Sequence, residues 1–266
     1  MNFAIFYFSG TGNTKWVSDE INKCITKKGH ECINISLEDD IIKPEDILEK
    51  ADVIGFSFPI YGANMPNLMI SFIERLKNTL DKSNVKPVFI VTTAGYVDGY
   101  GPFAAKKMLK FSGFKLIAYI NLKISNNLST PKVKANIQTK ENLKIRMNKS
   151  KERIEKLVNR LLEEKKYIRN IGFYLLPGII IRKATKKGRA NCYQVLSVDK
   201  EKCSLCMICV KNCPTKSIIY SEGKFSFLPS CTACMRCYNF CPKSAIYHEG
   251  KYADPQIYKR YKGPIT

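Results

Sequence analysis

The chain has 266 residues, 45% of them hydrophobic and 25% charged, which allows one large domain plus a small one and is ordinary for a folded globular protein. Its N-terminal MNFAIFYFSG lacks a basic stretch and a small-residue cleavage pattern, so no secretory signal is expected, and the apolar run Ile171 to Ile181, interrupted by Pro177 and Gly178, is too short for a transmembrane segment. The formal net charge is +21, and eleven cysteines without a signal point to thiolate ligands in a reducing cytoplasm rather than to disulfides.

Apolar runs at Phe3–Phe8, Cys32–Ser36, Val53–Phe58, Val88–Thr93 and Lys115–Asn121 predict strands, and segments near Asn13–Lys28, Asn67–Thr79 and Pro102–Phe111 predict helices between them. Such alternation implies a parallel sheet covered on both faces, so residues 1–166 are expected to fold as a doubly wound α/β domain. From Lys140 to Lys166, Leu143, Met147, Ile154, Leu157, Val158, Leu161 and Leu162 recur at mostly helical spacing among charged residues. They predict a long amphipathic helix that closes the domain.

Between the first strand and the first helix, FYFSGTGNTKW sets Ser9, Gly10, Thr11, Gly12, Asn13 and Thr14 in a loop. Glycines let the backbone approach a ligand, hydroxyl and amide side chains donate hydrogen bonds, and the helix N-terminus offers free N–H groups and a positive dipole. The loop reads as a phosphate cradle, with an ordinary strand-to-helix turn as the alternative. A Walker A loop needs GxxxxGK before Ser or Thr, whereas Lys15 here follows Thr14 and precedes Trp16; a GxGxxG loop lacks its third glycine.

The form SxTGxT resembles the phosphate loop of flavodoxins, and the resemblance extends over about residues 1–165. In that family two further loops, after the third and fourth strands, embrace the isoalloxazine ring of FMN. The matching stretches here are Pro59-Ile60-Tyr61-Gly62-Ala63-Asn64 and Thr92-Thr93-Ala94-Gly95-Tyr96, with Tyr100 close behind. The resemblance therefore implies bound FMN, with Tyr61 and Tyr96 or Tyr100 against the ring, since an aromatic face suits a planar heterocycle. Ordinary packing is the alternative for each tyrosine. All three loops are expected at the C-terminal ends of strands, where doubly wound sheets bind ligands.

Charge is concentrated in the middle of the chain: residues 131–199 hold 18 basic and 6 acidic side chains, against 15 and 13 in residues 1–130 and 11 and 4 in residues 200–266. Flavodoxins are typically acidic, so this departure argues against the usual basic docking partners, while the net positive field of residues 131–199 should attract acidic redox proteins of ferredoxin or flavodoxin type; a solvated helix face is the alternative. No nucleic-acid motif accompanies the charge. Residues 167–194 combine the apolar run with the basic stretch RKATKKGR and read as a linker. Docking between the domains is the plainer role for it, and peripheral membrane contact the other.

The C-terminal part repeats itself. CSLCMICVKNCPTKSIIYSEGKF, from Cys203, aligns with CTACMRCYNFCPKSAIYHEGKY, from Cys231, with one residue deleted after the Cys-Pro pair. Each half has the spacing CxxCxxCxxxCP. Three closely spaced thiolates can fold around one 4Fe-4S cluster, and the fourth, followed by proline, ligates the other cluster. This assigns Cys203, Cys206, Cys209 and Cys241 to one cluster and Cys213, Cys231, Cys234 and Cys237 to the second. Here residues 195–250 resemble the two-cluster bacterial ferredoxins, a small α+β fold, leaving 251–266 as a tail. A pair of zinc sites is the alternative, though zinc modules usually separate two CxxC pairs by a longer loop. Cys24, Cys32 and Cys192 fall outside both patterns and read as buried small residues or spectators.

Taken together, the chain resembles the flavodoxin–ferredoxin fusion family of anaerobic bacteria, which implies an electron-transfer flavoprotein with FMN and two 4Fe-4S clusters. An FMN-dependent reductase of a quinone or nitro compound is one alternative, and a redox-sensing interaction protein another. His30 precedes the second strand and His248 lies in the cysteine repeat, so neither supplies a general acid among the flavin loops, and no catalytic residue is assigned.

Overall fold

The computed structural model describes residues 1–39, 43–79, 85–96, 101–109, 113–168 and 175–264. Its N-terminal part alternates β1 (Asn2–Tyr7), α1 (Asn13–Lys27), β2 (Glu31–Ser36), α2 (Pro44–Lys50), β3 (Val53–Pro59), α3 (Asn67–Thr79), β4 (Lys86–Ala94), α4 (Gly101–Leu109), β5 (Phe114–Lys123), α5 (Lys140–Leu162) and β6 (Tyr167–Ile168). The strands form one sheet in the order β2-β1-β3-β4-β5-β6, and every neighbouring pair is parallel. This is the doubly wound arrangement that the strand and helix alternation requires. The short α2 and the two-residue β6 have too few residues to carry a period, and the sequence does not announce them.

Alternate strand residues face opposite helical layers. Ala4 and Phe6 of β1, with Phe8 just beyond it, join Ile54, Phe56 and Phe58 of β3 beneath Leu48 of α2, Met69 and Ile73 of α3 and Leu109 of α4. Phe3 and Ile5 pack instead with Val17, Ile21 and Ile25 of α1 and Ile154, Leu157, Val158 and Leu161 of α5. Each such buried Leu, Ile or Val contributes about 1.5–3 kcal/mol. Helix α5 starts on Thr139, whose side chain accepts a hydrogen bond from the Asn142 N–H, with Glu141 in the first turn beside the positive end of the helix dipole.

The segment read as a linker contains α6 (Leu175–Ala190), and it is not sealed between the domains. Gly178 is buried, and Thr185 Oγ1 donates to the Gly62 carbonyl at 3.0 Å, but Leu176 and Ile180 are 75% and 68% exposed. At helical spacing, 176 and 180 fall on the side opposite 178 and 185, so only one face meets the protein.

The rest of the chain forms β7 (Leu196–Val198), α7 (Ile208–Lys211), β8 (Ile218–Ser221), β9 (Lys224–Phe227), α8 (Arg236–Phe240) and β10 (Ile246–His248). β7 pairs with β10 and β8 with β9, both antiparallel, giving the small α+β module. The sequence repeat is a backbone repeat as well. Positive φ angles recur at Leu205 and Ala233, Met207 and Met235, and Lys216 and Ser244, each pair 28 residues apart. The fourth cysteine of each half accepts an equivalent bond: Ser217 N–H reaches Cys213 Sγ and Ala245 N–H reaches Cys241 Sγ, both at 3.2 Å.

Candidate functional site

The loop after β1 meets the loops after β3 and β4 around a cavity of about 350 Å³ lined by Ser9, Gly10, Thr11, Asn13 and Thr14, by Pro59, Ile60 and Tyr61, and by Thr93, Ala94 and Gly95. A fourth segment that sequence reasoning did not mark, Ser125, Asn126 and Asn127 just beyond β5, completes the lining. Its position at the C-terminal end of a strand was the available signal. Gly12 takes φ +100°, which a side chain resists, and α1 begins there without a side-chain cap, leaving its first N–H groups for a ligand. The loops are cross-tied: Ser9 Oγ accepts from Gly12 N–H at 3.1 Å, the Thr14 and Thr93 hydroxyls meet at 2.8 Å, and Asn13 Nδ2 donates to the Ser125 carbonyl at 2.9 Å.

Other expected residues stand back from this cavity. Gly12 and Gly62 are not in its lining; they set the backbone turns beside it. Thr92 is fully buried and bonded to the Tyr119 hydroxyl and Asn121. Tyr96 is 49% exposed and lines a separate groove with Ile137, Asn142 and Ile257. Tyr100 lies outside the described residues.

The cavity fits a flavin phosphate on its own chemistry. Its lining includes two buried polar atoms with no hydrogen-bond partner of good geometry, Asn126 Nδ2 and the Tyr61 hydroxyl. Burial raises the Tyr61 pKa, so the hydroxyl keeps its proton. A Cβ on Gly95 would overlap the Asn126 amide, and one on Gly10 would overlap the Tyr61 hydroxyl, so both glycines are needed for the loops to close.

The cysteines gather in two groups. Cys203, Cys206, Cys209 and Cys241 line one cavity of about 350 Å³ together with Met207, Phe225, Pro242 and Lys243. Cys213 lies electrostatically with the other group, opposing ionisation of both Cys234 and Cys237, as Cys241 does for Cys209. Burial is the larger cause in each case; it pushes Cys234 up to about 12 and also raises Cys237 and Cys209. Among the described residues no three His, Cys, Asp or Glu side chains close on a single point as one ion would require; the first group instead surrounds a space, which fits a cluster.

Cys192 is buried, one of the two readings given for it, and it also touches a cysteine of the second group. Its Sγ donates to the Cys231 carbonyl oxygen at 3.4 Å, and its closeness holds the Cys231 thiol down to about 7. The same contact, with burial, raises Cys192 itself. Nothing in its sequence position signals this. Cys24 and Cys32 are partly buried against the core between α1, α5 and the sheet, and burial lifts Cys32 to about 12.

The two halves meet at the phosphate loop. A Cβ on Gly10 would lie 3.0 Å from the carbonyl oxygen of Cys234 and 3.1 Å from its Cβ, and Cys234 is counted in the core that contains β1 and β3. Asn127 Nδ2 donates to the Cys234 carbonyl at 3.0 Å and to Thr11 Oγ1 at 3.2 Å. Arg236 donates to the Ser9 and Gly10 carbonyls and to both carboxylate oxygens of Glu38. From the tail, the Tyr261 hydroxyl bonds to Asn13, and Gly263 packs against Thr11 and Gly12.

A doubly wound sheet whose phosphate loop abuts a two-centre cysteine module defines a redox protein of the flavin and iron–sulfur type. A family model described as a flavodoxin domain matches residues 4–136, and one described as a 4Fe-4S dicluster domain matches residues 202–246. The chain belongs to the flavodoxin-domain family and carries a 4Fe-4S dicluster domain behind it, a flavodoxin–ferredoxin fusion. Its cofactors are accordingly FMN and two 4Fe-4S clusters, and its role is electron transfer.

Among solved structures it is similar to the two-electron reduced flavodoxin of Megasphaera elsdenii, with 25% identity over 45% of this chain and 84% of that one and a TM-score of 0.40. It is also similar to Flavodoxin 2 from Bacillus cereus, with 16% identity over 62% of this chain and 99% of that one and a TM-score of 0.46. No curated protein matches the chain.

Proposed function

We propose that this protein passes electrons between its two clusters and its FMN and exchanges them with a separate, acidic redox protein in the cytoplasm. The observation that carries the reading is the seat of Cys234 against Gly10, which puts a cluster-binding loop on the phosphate loop. Eleven free cysteines agree with a reducing compartment, and among the described residues no helix is long and apolar enough to cross a membrane.

In this reading Ser9, Gly10, Thr11, Asn13 and Thr14 hold the phosphate, with Asn126 and Tyr61 supplying further donors. Cys203, Cys206, Cys209 and Cys241 hold one cluster, and Cys213, Cys231, Cys234 and Cys237 hold the other. When bound, FMN exchanges one or two electrons and each cluster one, so the assembly can split or collect electron pairs. The chain's part is to fix the centres in place, exclude water from the second cysteine group and bond the cysteine sulfurs. The N–H bonds to Cys213 and Cys241 do the last of these.

Anaerobic purification should yield about eight iron and eight sulfide atoms and one FMN per chain. Zinc without sulfide would overturn the cluster reading, and failure to take up FMN would overturn the flavin half. Cys213→Ser should damage the cluster whose other ligands are Cys231, Cys234 and Cys237. Loss of the Cys203 cluster instead would sink the crossed ligation.

A further inference from the structure

We infer that the face over the first cysteine group is the docking surface for an acidic one-electron carrier protein, with Leu205 at its centre and Lys224 and Lys243 on its rim. The inference rests on the proposed cluster at Cys203, Cys206, Cys209 and Cys241, and it says which end of the protein faces outward.

The two cysteine groups differ in access at one member each. Cys234 of the second group is 7% exposed and lies against the phosphate loop, whereas Cys206 is the one exposed cysteine of the eleven. Leu205 beside it takes a positive φ of 51° and is 51% exposed, a large apolar side chain held outward next to a proposed ligand. Electron tunnelling falls steeply with distance, so a carrier must reach a centre at the surface. The first group, with Cys206 exposed, offers the more open one.

The chemistry around that opening selects the carrier. Lys243 and Phe225 line the cavity of the first group, Lys224 precedes Phe225, and both lysines are exposed. Glu201 and Glu222 are exposed as well, but over residues 200–266 as a whole 11 basic side chains outnumber 4 acidic ones, so the net charge of this module attracts an acidic surface. An apolar centre with a charged rim, on a small area, is the pattern of transient electron-transfer contacts. One electron crosses it: the carrier is oxidised by one electron when it gives and reduced by one when it takes, and no bond or proton changes hands.

Helix α6 is the competing surface, since it exposes Leu176 and Ile180 ahead of Lys183 and Lys187. Its inner face bonds to Gly62, and no cysteine of either group is among its residues. The experiment therefore sets the two surfaces against each other. The reduced probe is a purified acidic two-cluster ferredoxin, mixed anaerobically with the holoprotein at low ionic strength, with rates followed by stopped flow and binding by NMR line broadening of the probe.

Lys224→Glu with Lys243→Glu should cut the second-order rate about tenfold or more and flatten its dependence on salt, while the Gln pair gives an intermediate loss. Lys183→Glu with Lys187→Glu should leave rate and binding within about twofold. Iron, sulfide and FMN contents should match the parent protein in every variant. A Lys224/Lys243 pair that reacts at the parental rate overturns the docking surface alone, as does a loss confined to the α6 pair. A parent protein without clusters overturns the cluster reading and this inference with it.

Discussion

Arg236, which stands between two cysteines of the second group, forms a two-pronged ion pair with Glu38 at the end of β2, both N–O distances being 2.6 Å. The pair is largely shielded, at 17% and 25% side-chain exposure, and the same guanidinium reaches the Ser9 and Gly10 carbonyls at 2.7 and 2.8 Å. One side chain thus ties the cysteine loop to the phosphate loop, using the fork that only arginine has.

Arg236→Gln is expected to lower the unfolding free energy of the holoprotein by about 2 kcal/mol, the scale of hydrogen bonds to a charged group. Arg236→Lys should recover less than half of that loss, because a single ammonium cannot serve Glu38 and two carbonyls together. Urea unfolding under anaerobic conditions measures both. Flavin release should accompany the loss, and a variant as stable as the parent would show the clamp to be idle.

Gly10→Ala should weaken FMN binding and disturb the second cluster in the same protein. The added methyl meets the Tyr61 hydroxyl and the Cys234 backbone at once. Gly188→Ala, which has nothing within 4 Å, is the control and should be neutral or stabilise α6 by up to about 1 kcal/mol. FMN titration by fluorescence quenching and iron analysis of the two variants separate these outcomes.

Cys192→Ala should shift the midpoint potential of the second cluster, because the Cys192 thiol donates to the backbone carbonyl of Cys231, a proposed ligand, and its loss frees that peptide dipole next to the cluster. Cys192→Ser keeps a donor and should lie between the two. Iron content should stay unchanged throughout. An anaerobic titration followed by electron paramagnetic resonance reads the shift, and equal potentials in all three proteins would remove Cys192 from the second cluster's surroundings.

His248 should titrate below the ordinary 6.5, since burial disfavours its charged form; Glu249 opposes this and Lys132 adds to it. The unfolded chain then binds the proton more readily than the folded one. The resulting stability is complete above about pH 6.5 and falls as pH drops below it. NMR titration of the imidazole checks the sign, and His248→Gln should flatten the slope.

Much of the architecture was legible in the residues. The continuous apolar runs predicted five strands, and their alternation with helices predicted parallel pairing, because a parallel crossover needs a helix between strands. Ser9 to Thr14 read as a phosphate loop through glycines and hydroxyls at a strand-to-helix junction, and all of them but Gly12 line one cavity. The ring-contacting tyrosines were less legible: the same letters served Tyr61, which lines the cavity, and Tyr96, which does not. A side chain's direction depends on loop backbone, which no periodicity reports.

By itself, the sequence marked the candidate centres: eight cysteines in two identical spacings and one glycine-rich loop are local patterns, and local spacing governs local chemistry. Only the tertiary structure decided their order in space. That Cys234 sits on Gly10, that Arg236 reaches Glu38 198 residues away, and that Cys206 opens outward all follow from packing between distant segments. Such contacts arise from shape and burial of whole domains, and they bury Cys234 while leaving Cys206 exposed.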